Sequence, residues 1–410
     1  MTVLVIVGSD LSSNSSANLC HKAYIQGLLD NGCSVDVITV GENVDSVDFG
    51  FDKKEPVRFY SYKMEALYEK AAKFLRRSGK ATTGTVGVSE MRNDERKNGM
   101  LHSIKRWVHS LYGPYEVYIA WKKQAMQFCS DKVYDLTISL SFPPVSHLLA
   151  NELIKKKRIK TDRWIQIWED PWCQDLVFRS LNDSVAIKKA QKEEAQLLEM
   201  ADEVLYVSPI TLTHQAEMFP ESQDKMYWMP VPTYYANNSE LKSSDKKVFG
   251  YFGDYSTQIR NLQPFYEAAK TQNATVNICG YSDKMFDSYE NITVRPRVSL
   301  EELRPIEDQT NVLVFLSNLR GGQIPGKIYQ YSATSKTILF ILDGTEDEMV
   351  VLKDFFGKYN RYVFCNNTIE DISRAMREIQ MNEIDETLNV PLECFSPVNI
   401  VQKILNRVEA

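Results

Sequence analysis

One segment of the sequence has residue types and spacing suited to binding a diphosphate. It runs from Asn318 to Tyr331, and Gly-Gly, Pro325, Gly326 and Lys327 follow an apolar run that predicts a buried strand. Proline is well suited to open a helix there, because the first helical turn leaves its N–H groups unpaired in any case. The N–H groups of Gly326 and Lys327, with the lysine ammonium, would then face an anion. The segment predicts a diphosphate site or, alternatively, a plain strand–helix connection with an exposed lysine.

Two other charged residues also follow apolar runs. Arg260 lies between a polar loop and a predicted helix, where its guanidinium could clamp a diphosphate oxygen. Asp170 follows the run Trp164–Trp168 and stands beside Trp172, so a sugar could stack on the ring and donate hydroxyl protons to the carboxylate. The alternatives are a solvated loop arginine and an aspartate that caps the next turn. Glu169 could fill the role of Asp170.

The sequence lacks the motifs of several other classes of enzyme. Ser9 and Asp10 open a polar loop after the apolar run Val3–Val7, and this loop lacks the Gly-x-Gly-x-x-Gly pattern of NAD and FAD sites. It is compatible with acceptor binding. The five histidines show no metal spacing with cysteines or carboxylates, and neither a Walker A motif nor a Gly-x-Ser-x-Gly elbow occurs.

Length and composition predict two globular domains. The 410 residues exceed one ordinary core, and a net charge of −6 argues against a general nucleic-acid binder. Seven cysteines without a CxxC pair, no recognisable signal peptide and no apolar run of 18 residues favour a cytoplasmic protein. The basic and aromatic stretch 105–123, with Lys155–Arg158, could lie on an anionic membrane surface. The alternative is a solvated helix face above core aromatic residues.

Strands and helices alternate along the chain in two series. Buried strands are predicted at 3–7, 35–40, 135–140, 163–168 and 203–207, and again at 247–252, 275–279, 311–316 and 337–342. This alternation is typical of an α/β protein with parallel sheets covered by helices. The polar run 236–247 predicts a linker, 78–100 a mobile loop, and 398–408 a final helix. Two consecutive Rossmann-like domains are therefore expected.

These residues together resemble a known family, the GT-B glycosyltransferases of bacterial surface-polysaccharide assembly, of the retaining "group 1" (family 4-like) type. Ile324–Ala333 is similar to the family's Pro-Ser-Lys-(Leu/Ile)-x-Glu-Tyr-Leu-Ala helix start. Val248–Gly253 followed by Arg260 and Asn261 is similar to its strand, glycine and basic pair. Further similarities lie at Val204–Pro209, Val298–Leu303 and Asp170–Trp172.

The resemblance implies a GT-B fold, in which two Rossmann-like domains face each other across a cleft. Residues 1–235 would bind the acceptor, residues 236–396 the nucleotide sugar, and the helix within 397–410 would cross back to the N-terminal domain. Arg260 and Lys327 would neutralise the donor diphosphate and, with Asp170, act in catalysis. The implied donor-binding residues are Gly253, Arg297, Val298, Gly322, Gln323, Ile324, Gly326 and Gln330, and those on the acceptor side are Ser9, Asp10 and Trp172. No cofactor or metal is expected, because the cations take that role.

The sequence departs from the family pattern at four positions. Gly322 and Gln330 stand where many members carry glutamates, Gly326 replaces a serine, and Arg260 a common lysine. The predicted activity is hexosyl-type transfer from a nucleotide-diphosphate sugar to a lipid-linked or polysaccharide intermediate. The protein would work in the cytoplasm, at the inner face of the membrane. The alternatives are a degenerate GT-B binding protein, a nucleotide-sugar epimerase, for which no carboxylate and histidine set is found, and a two-lobed periplasmic protein, disfavoured without an export signal.

Overall fold

The computed structural model describes residues 1–13, 15–41, 57–63, 116–141, 143–174, 184–233 and 247–407. The predicted loop 78–100, the polar run 236–246 and the part of the basic and aromatic stretch before residue 116 lie outside these ranges. The chain divides into two compact units. Unit 1 comprises Met1–Tyr206 and Gln215–Tyr227, and unit 2 comprises Val207–His214 and Trp228–Ala410.

Unit 1 is built on a seven-stranded sheet with the order β3-β2-β1-β5-β7-β8-β9. Neighbouring strands from β3 to β8 pair in parallel, and the central ones are buried along their whole length. The strands of this sheet are β1 Thr2–Val7, β2 Ser34–Val40, β3 Val57–Tyr62, β5 Leu136–Ser141, β7 Trp164–Trp168, β8 Glu203–Tyr206 and β9 Met226–Trp228. A second, two-stranded parallel sheet pairs β4, Val133–Tyr134, with β6, Lys160–Thr161.

Capping residues mark the ends of the first helix of unit 1. Ser15 caps the first helix by accepting a hydrogen bond from the Asn18 N–H, and Gly32 follows its end at φ +74°. The described helices are α1 Ser16–Asp30, α2 Glu116–Ala125, α3 Val145–Lys155, α4 Ser184–Met200 and α5 Pro209–Met218, with a 3-10 turn at Pro220–Lys225. Helix α5 begins in unit 2 and ends in unit 1.

Unit 2 contains a six-stranded, fully parallel sheet with the order β12-β11-β10-β13-β14-β15. Its strands are β10 Val248–Phe252, β11 Thr275–Cys279, β12 Ile292–Arg295, β13 Val312–Leu316, β14 Thr337–Leu342 and β15 Val363–Asn366. Its helices are α6 Gln263–Thr271, α7 Leu300–Gln309, α8 Lys327–Ser332, α9 Glu346–Gly357, α10 Ile369–Gln380 and α11 Pro397–Asn406, with a 3-10 turn at Glu386–Asn389. Ser299 caps α7 in a capping box with Glu302.

The predicted α/β class with two parallel sheets is confirmed. Each sheet also has a point where the strand order reverses, between β1 and β5 in unit 1 and between β10 and β13 in unit 2. In open α/β sheets ligands bind outside the carboxyl ends of the strands at such a point. The arrangement of the two units, and the return of the final helix to the N-terminal domain, stay predictions.

Candidate functional site

The reversal point of the unit 2 sheet gathers the charged residues around Asp254. This aspartate follows β10, and its carboxylate accepts a hydrogen bond from the Tyr281 N–H at 3.0 Å and pairs with the Arg297 guanidinium. Its backbone carbonyl accepts from Nη1 of Arg260 at 3.1 Å. The loops after β10, β11 and β12 therefore converge on a single residue, and they bring two of the predicted site arginines together.

Asn318 holds Arg260 in place. Its Oδ1 accepts a hydrogen bond from Arg260 Nε at 2.9 Å, and its Nδ2 donates to the Gln323 carbonyl at 3.1 Å. The guanidinium is thus oriented by two bonds, through Nε and Nη1, and the same asparagine ties it to the Gly-Gly loop after β13. An arginine fixed in this way loses little conformational freedom when it binds an anion.

Lys327, the first residue of α8, lies in the same group of charges. Its Nζ is 5.9 Å from the centre of the Phe252 ring, at the carboxyl end of β10. Burial lowers the pKa of this lysine, while the nearby carboxylates of Glu307 and Asp254 act in the opposite direction. Burial also raises the pKa of Glu307. A cation that has lost part of its hydration gains from an anionic ligand, so a phosphate is a favourable partner here.

The Gly-Gly loop is held tightly against the start of α5. Gly322 has φ +70°, and its carbonyl accepts from Ser208 Oγ at 2.5 Å and from Thr211 Oγ1 at 3.4 Å. A Cβ atom at Gly322 would lie 2.6 Å from Cγ2 of Ile210. A glutamate, which many members of the resembled family carry here, would therefore clash. The neighbouring Gln323 carries a buried Oε1 without a hydrogen bond among the described residues, as a ligand-binding side chain would.

A second glycine brings two of the loops into contact. A Cβ atom at Gly280, which follows β11, would lie 1.9 Å from the Gly253 carbonyl oxygen. Glycine is therefore required for the close approach of the loops after β10 and β11. The Gly253 N–H donates to the Cys279 carbonyl at 2.9 Å, and the Tyr281 N–H donates to the Asp254 carboxylate at 3.0 Å, so hydrogen bonds join the loops on both sides of this contact.

The remaining predicted donor residues lie along the same segments. Val298 follows Arg297, and Gly326 directly precedes α8. Ile324 is buried, and Gln330 is partly exposed one turn after Lys327. Helix α8 has only six residues and starts at Lys327 rather than at Pro325. Because the helix is short, its dipole is small. We therefore expect the lysine charge and the loop N–H groups to contribute more than the dipole to anion binding.

In unit 1 the predicted acceptor-side residues lie at the carboxyl ends of β1 and β7. Ser9 is partly exposed, Asp10 is exposed and Asp170 is partly exposed. Trp172 is only 7% exposed, so its indole offers little surface on which a sugar could stack. The predicted stacking role therefore does not fit this residue, which packs in the core behind its loop.

Glu169 has a partner that the sequence pattern did not reveal. Its Oε1 lies 3.3 Å from Nε2 of His21, a side chain of α1 with no exposed surface. His21 is twelve residues after Ser9 and on another element, so a tertiary contact rather than a sequence motif brings the three side chains together.

The basic and aromatic stretch is described only from residue 116. Trp121 has no exposed surface, and its Nε1 donates to the Thr39 carbonyl at 3.2 Å, so it is a core residue and not an interfacial anchor. Lys122 pairs with Glu152. Within the described ranges, no helix is long and apolar enough to cross a bilayer. The same ranges contain no group of three or more His, Cys, Asp or Glu side chains placed to hold a metal ion.

Comparison with known proteins shows the fold. No family model and no curated protein matches the sequence. The apo form of the lipopolysaccharide outer core galactosyltransferase WaaB is similar with a TM-score of 0.52 at 13% identity, covering 100% of this chain and 99% of that one. A glycosyltransferase from Rickettsia africae ESF-5 gives 0.51 at 11% identity, over 99% and 97%. Arabidopsis thaliana UGT89C1 complexed with UDP gives 0.50 at 9% identity, over 99% and 95%. The chain has the fold of the GT-B glycosyltransferases.

Proposed function

We propose that the protein is a glycosyltransferase that takes a sugar from a nucleoside-diphosphate donor bound by unit 2. The observation that carries this proposal is the convergence of Arg260, Lys327 and Arg297 around Asp254 at the reversal point of the sheet. Three cations lie near two carboxylates there, those of Asp254 and Glu307, so the site has an excess of positive charge. A diphosphate supplies the missing negative charge.

The same cations would serve the chemistry. When the bond between sugar and phosphate breaks, negative charge grows on the departing diphosphate. Arg260, already oriented by Asn318, would hold this charge without further reorganisation. Burial destabilises the charged form of Lys327. The growing negative charge of the diphosphate would offset this destabilisation in the transition state. We infer that these side chains take the role that a divalent cation has in other enzymes, so turnover should persist in EDTA.

The acceptor and the cellular location follow from the sequence resemblance. We propose a lipid-linked or polysaccharide acceptor, a hexosyl donor and a cytoplasmic enzyme at the inner face of the membrane. Exposed Lys155–Lys157 at the end of α3 support membrane binding, whereas Trp121 is a core residue. Vesicle flotation with anionic and zwitterionic lipids tests this part separately.

The donor site is tested by a thermal-shift screen of UDP, GDP, ADP and CMP with their common sugar conjugates. A ligand that binds only the folded state stabilises it by RT ln(1 + [L]/Kd), about 2.7 kcal/mol at 100 Kd. We expect one nucleoside diphosphate to raise the melting temperature. Lys327→Ala should weaken its binding about tenfold to a hundredfold, because a charge-assisted hydrogen bond contributes roughly 1.5–3 kcal/mol.

The matched control is Lys353→Ala, which removes an exposed lysine from α9 in the same unit. It should leave the ligand-induced shift unchanged. If no nucleotide changes the melting temperature, or if both variants respond as the wild type does, the donor site is not where we place it. Release of free sugar or nucleotide from the conjugate then separates an enzyme from a binding protein of the same fold.

A further inference from the structure

The reversal point of the unit 1 sheet holds a second polar cluster, formed by Ser9, His21 and Glu169. Ser9 follows β1, Glu169 follows β7, and His21 reaches them from α1. The Nδ1 atom of His21 is 3.3 Å from Ser9 Oγ, and its Nε2 is 3.3 Å from Glu169 Oε1. Nε2 also lies 3.4 Å from the Ser141 carbonyl at the end of β5. One buried ring thus connects the ends of three strands.

The hydrogen-bond pattern determines what this cluster can offer a ligand. The amide nitrogen of Asn18 donates to the carbonyls of Asp10 at 2.7 Å and Ser13 at 2.9 Å, so its Oδ1 is the free acceptor. Ser9 Oγ donates its single proton to that oxygen at 2.6 Å. Towards His21 and any ligand, Ser9 can therefore only accept a hydrogen bond. A carboxylate such as Glu169 can likewise only accept.

The charge of the surrounding loops and the buried polar atoms that lack hydrogen bonds indicate which class of ligand the cluster can bind. The described residues of the loops after β1, β5 and β7, at 8–13, 143–144 and 169–174, carry three carboxylates and no lysine or arginine. Glu169 Oε1 and Ser141 Oγ are buried without a well-aligned hydrogen bond among the described residues. Phosphate is repelled by these carboxylates and has mainly acceptor atoms. A neutral polyol carries no charge, and each of its hydroxyl groups can donate to Ser9 or Glu169 and accept from a hydroxyl such as that of Ser141.

We infer that Ser9 and Glu169 bind hydroxyl groups of a neutral sugar, and that His21 is a positioning residue that holds both side chains from behind. This assignment rests on the proposed function, in which unit 1 binds the acceptor. It places an uncharged pyranose ring of the acceptor against the ends of β1 and β7. Any phosphate or pyrophosphate that the acceptor carries would lie away from these loops.

The test measures thermal shifts of the full chain with neutral and charged sugars at equal concentration. The probes are the methyl glycosides of glucose, galactose, mannose, rhamnose and N-acetylglucosamine, the corresponding sugar 1-phosphates, and glucosamine. We expect at least one neutral glycoside to raise the melting temperature and the 1-phosphates to leave it unchanged. Binding of no glycoside, of the 1-phosphates as well, or of glucosamine alone overturns the inference.

Four variants locate the effect. Glu169→Gln should weaken glycoside binding about tenfold to a hundredfold, because it replaces a charged acceptor. His21→Leu should do the same, whereas His21→Gln, which keeps a donor towards Glu169, should restore part of the affinity. Asp162→Asn removes an exposed carboxylate before β7 and should behave as wild type. Unchanged affinity in Glu169→Gln overturns the inference whether or not the buried His21 variants fold.

The nucleotide thermal-shift screen distinguishes failure of the acceptor-site inference from failure of the proposed transferase function. In all four variants nucleoside diphosphates should still raise the melting temperature, because they bind in unit 2. Nucleotide binding without glycoside binding refutes only the acceptor assignment. Glycoside binding without nucleotide binding refutes the proposed transferase and leaves a sugar-binding protein.

Discussion

Glu194 of α4 makes the stability of unit 1 depend on pH. The side chain has no exposed surface and accepts hydrogen bonds from the N–H groups of Trp172 at 3.3 Å and Cys173 at 2.8 Å. It thus supports the loop that carries Asp170. Burial raises the pKa of Glu194 from 4.5 to about 7, although the N–H groups oppose the rise. The folded protein therefore keeps this proton to a higher pH than the unfolded chain does.

The sign and size of the effect follow from proton linkage. Below about pH 4.5 both states are protonated and the stabilising contribution is complete. It is lost as the pH rises through about 7, where the folded state must ionise a buried carboxyl group. At 1.36 kcal/mol per pKa unit, the free energy of unfolding should fall by about 2–3 kcal/mol between pH 5 and pH 8 from this group alone.

Urea denaturation followed by tryptophan fluorescence measures this change. Of the five tryptophans in the described ranges, four lie in unit 1, so the signal reports mainly on that unit. Glu194→Gln cannot ionise, and its fall in unfolding free energy from pH 5 to pH 8 should be smaller than the wild type's by about 2–3 kcal/mol. Equal pH dependence in the two proteins would refute the reasoning, because the buried carboxyl group would then not change protonation on unfolding.

Three further substitutions probe the donor site. Gly280→Ala would place a Cβ atom 1.9 Å from a backbone oxygen and should cost about 1–3 kcal/mol or more in urea denaturation, with weaker nucleotide binding. Asn318→Ala removes the hydrogen bond that orients Arg260 and should weaken nucleotide binding by about tenfold in calorimetric titration. Its free energy of unfolding should fall by less than that of Gly280→Ala. Ser208→Ala removes the 2.5 Å bond to the Gly322 carbonyl and should raise the KM for the donor. An unchanged KM would show that this bond does not position the loop.

The hydrophobic pattern of the sequence was sufficient to predict most strands and helices. The runs Val3–Val7 and Thr337–Leu342 are continuous and apolar, as strands buried on both faces are, and both are confirmed as strands. The final helix, predicted at 398–408, is observed at Pro397–Asn406. The order of apolar and polar residues along the chain determines such strands and helices, so they can be predicted from the sequence.

The site was only partly predictable. Glycines and cations after predicted strands indicated Arg260, Lys327 and the Gly-Gly loop. The role of Asp254 was not indicated, because it depends on three loops that meet only when the sheet forms. The contact of Ser208 with Gly322 joins residues 114 positions apart, and no local pattern reveals it.

The acceptor side shows the same limit. The aromatic and acidic composition of the loop after β7 suggested Asp170 with Trp172 as a sugar platform. Burial depends on packing, and packing places the Trp172 ring in the core. Glu169, one residue earlier, instead meets His21 from a distant helix. A strand end can thus be located from sequence, whereas the side chain that faces the ligand is decided by tertiary contacts.

We propose that unit 2 binds the donor diphosphate through Arg260 and Lys327. A crystal structure of the chain with the nucleoside diphosphate that gives the largest thermal shift tests it most directly. We expect phosphate oxygens within hydrogen-bonding distance of the Arg260 guanidinium and the Lys327 ammonium. A nucleotide bound with its diphosphate away from both side chains would contradict it.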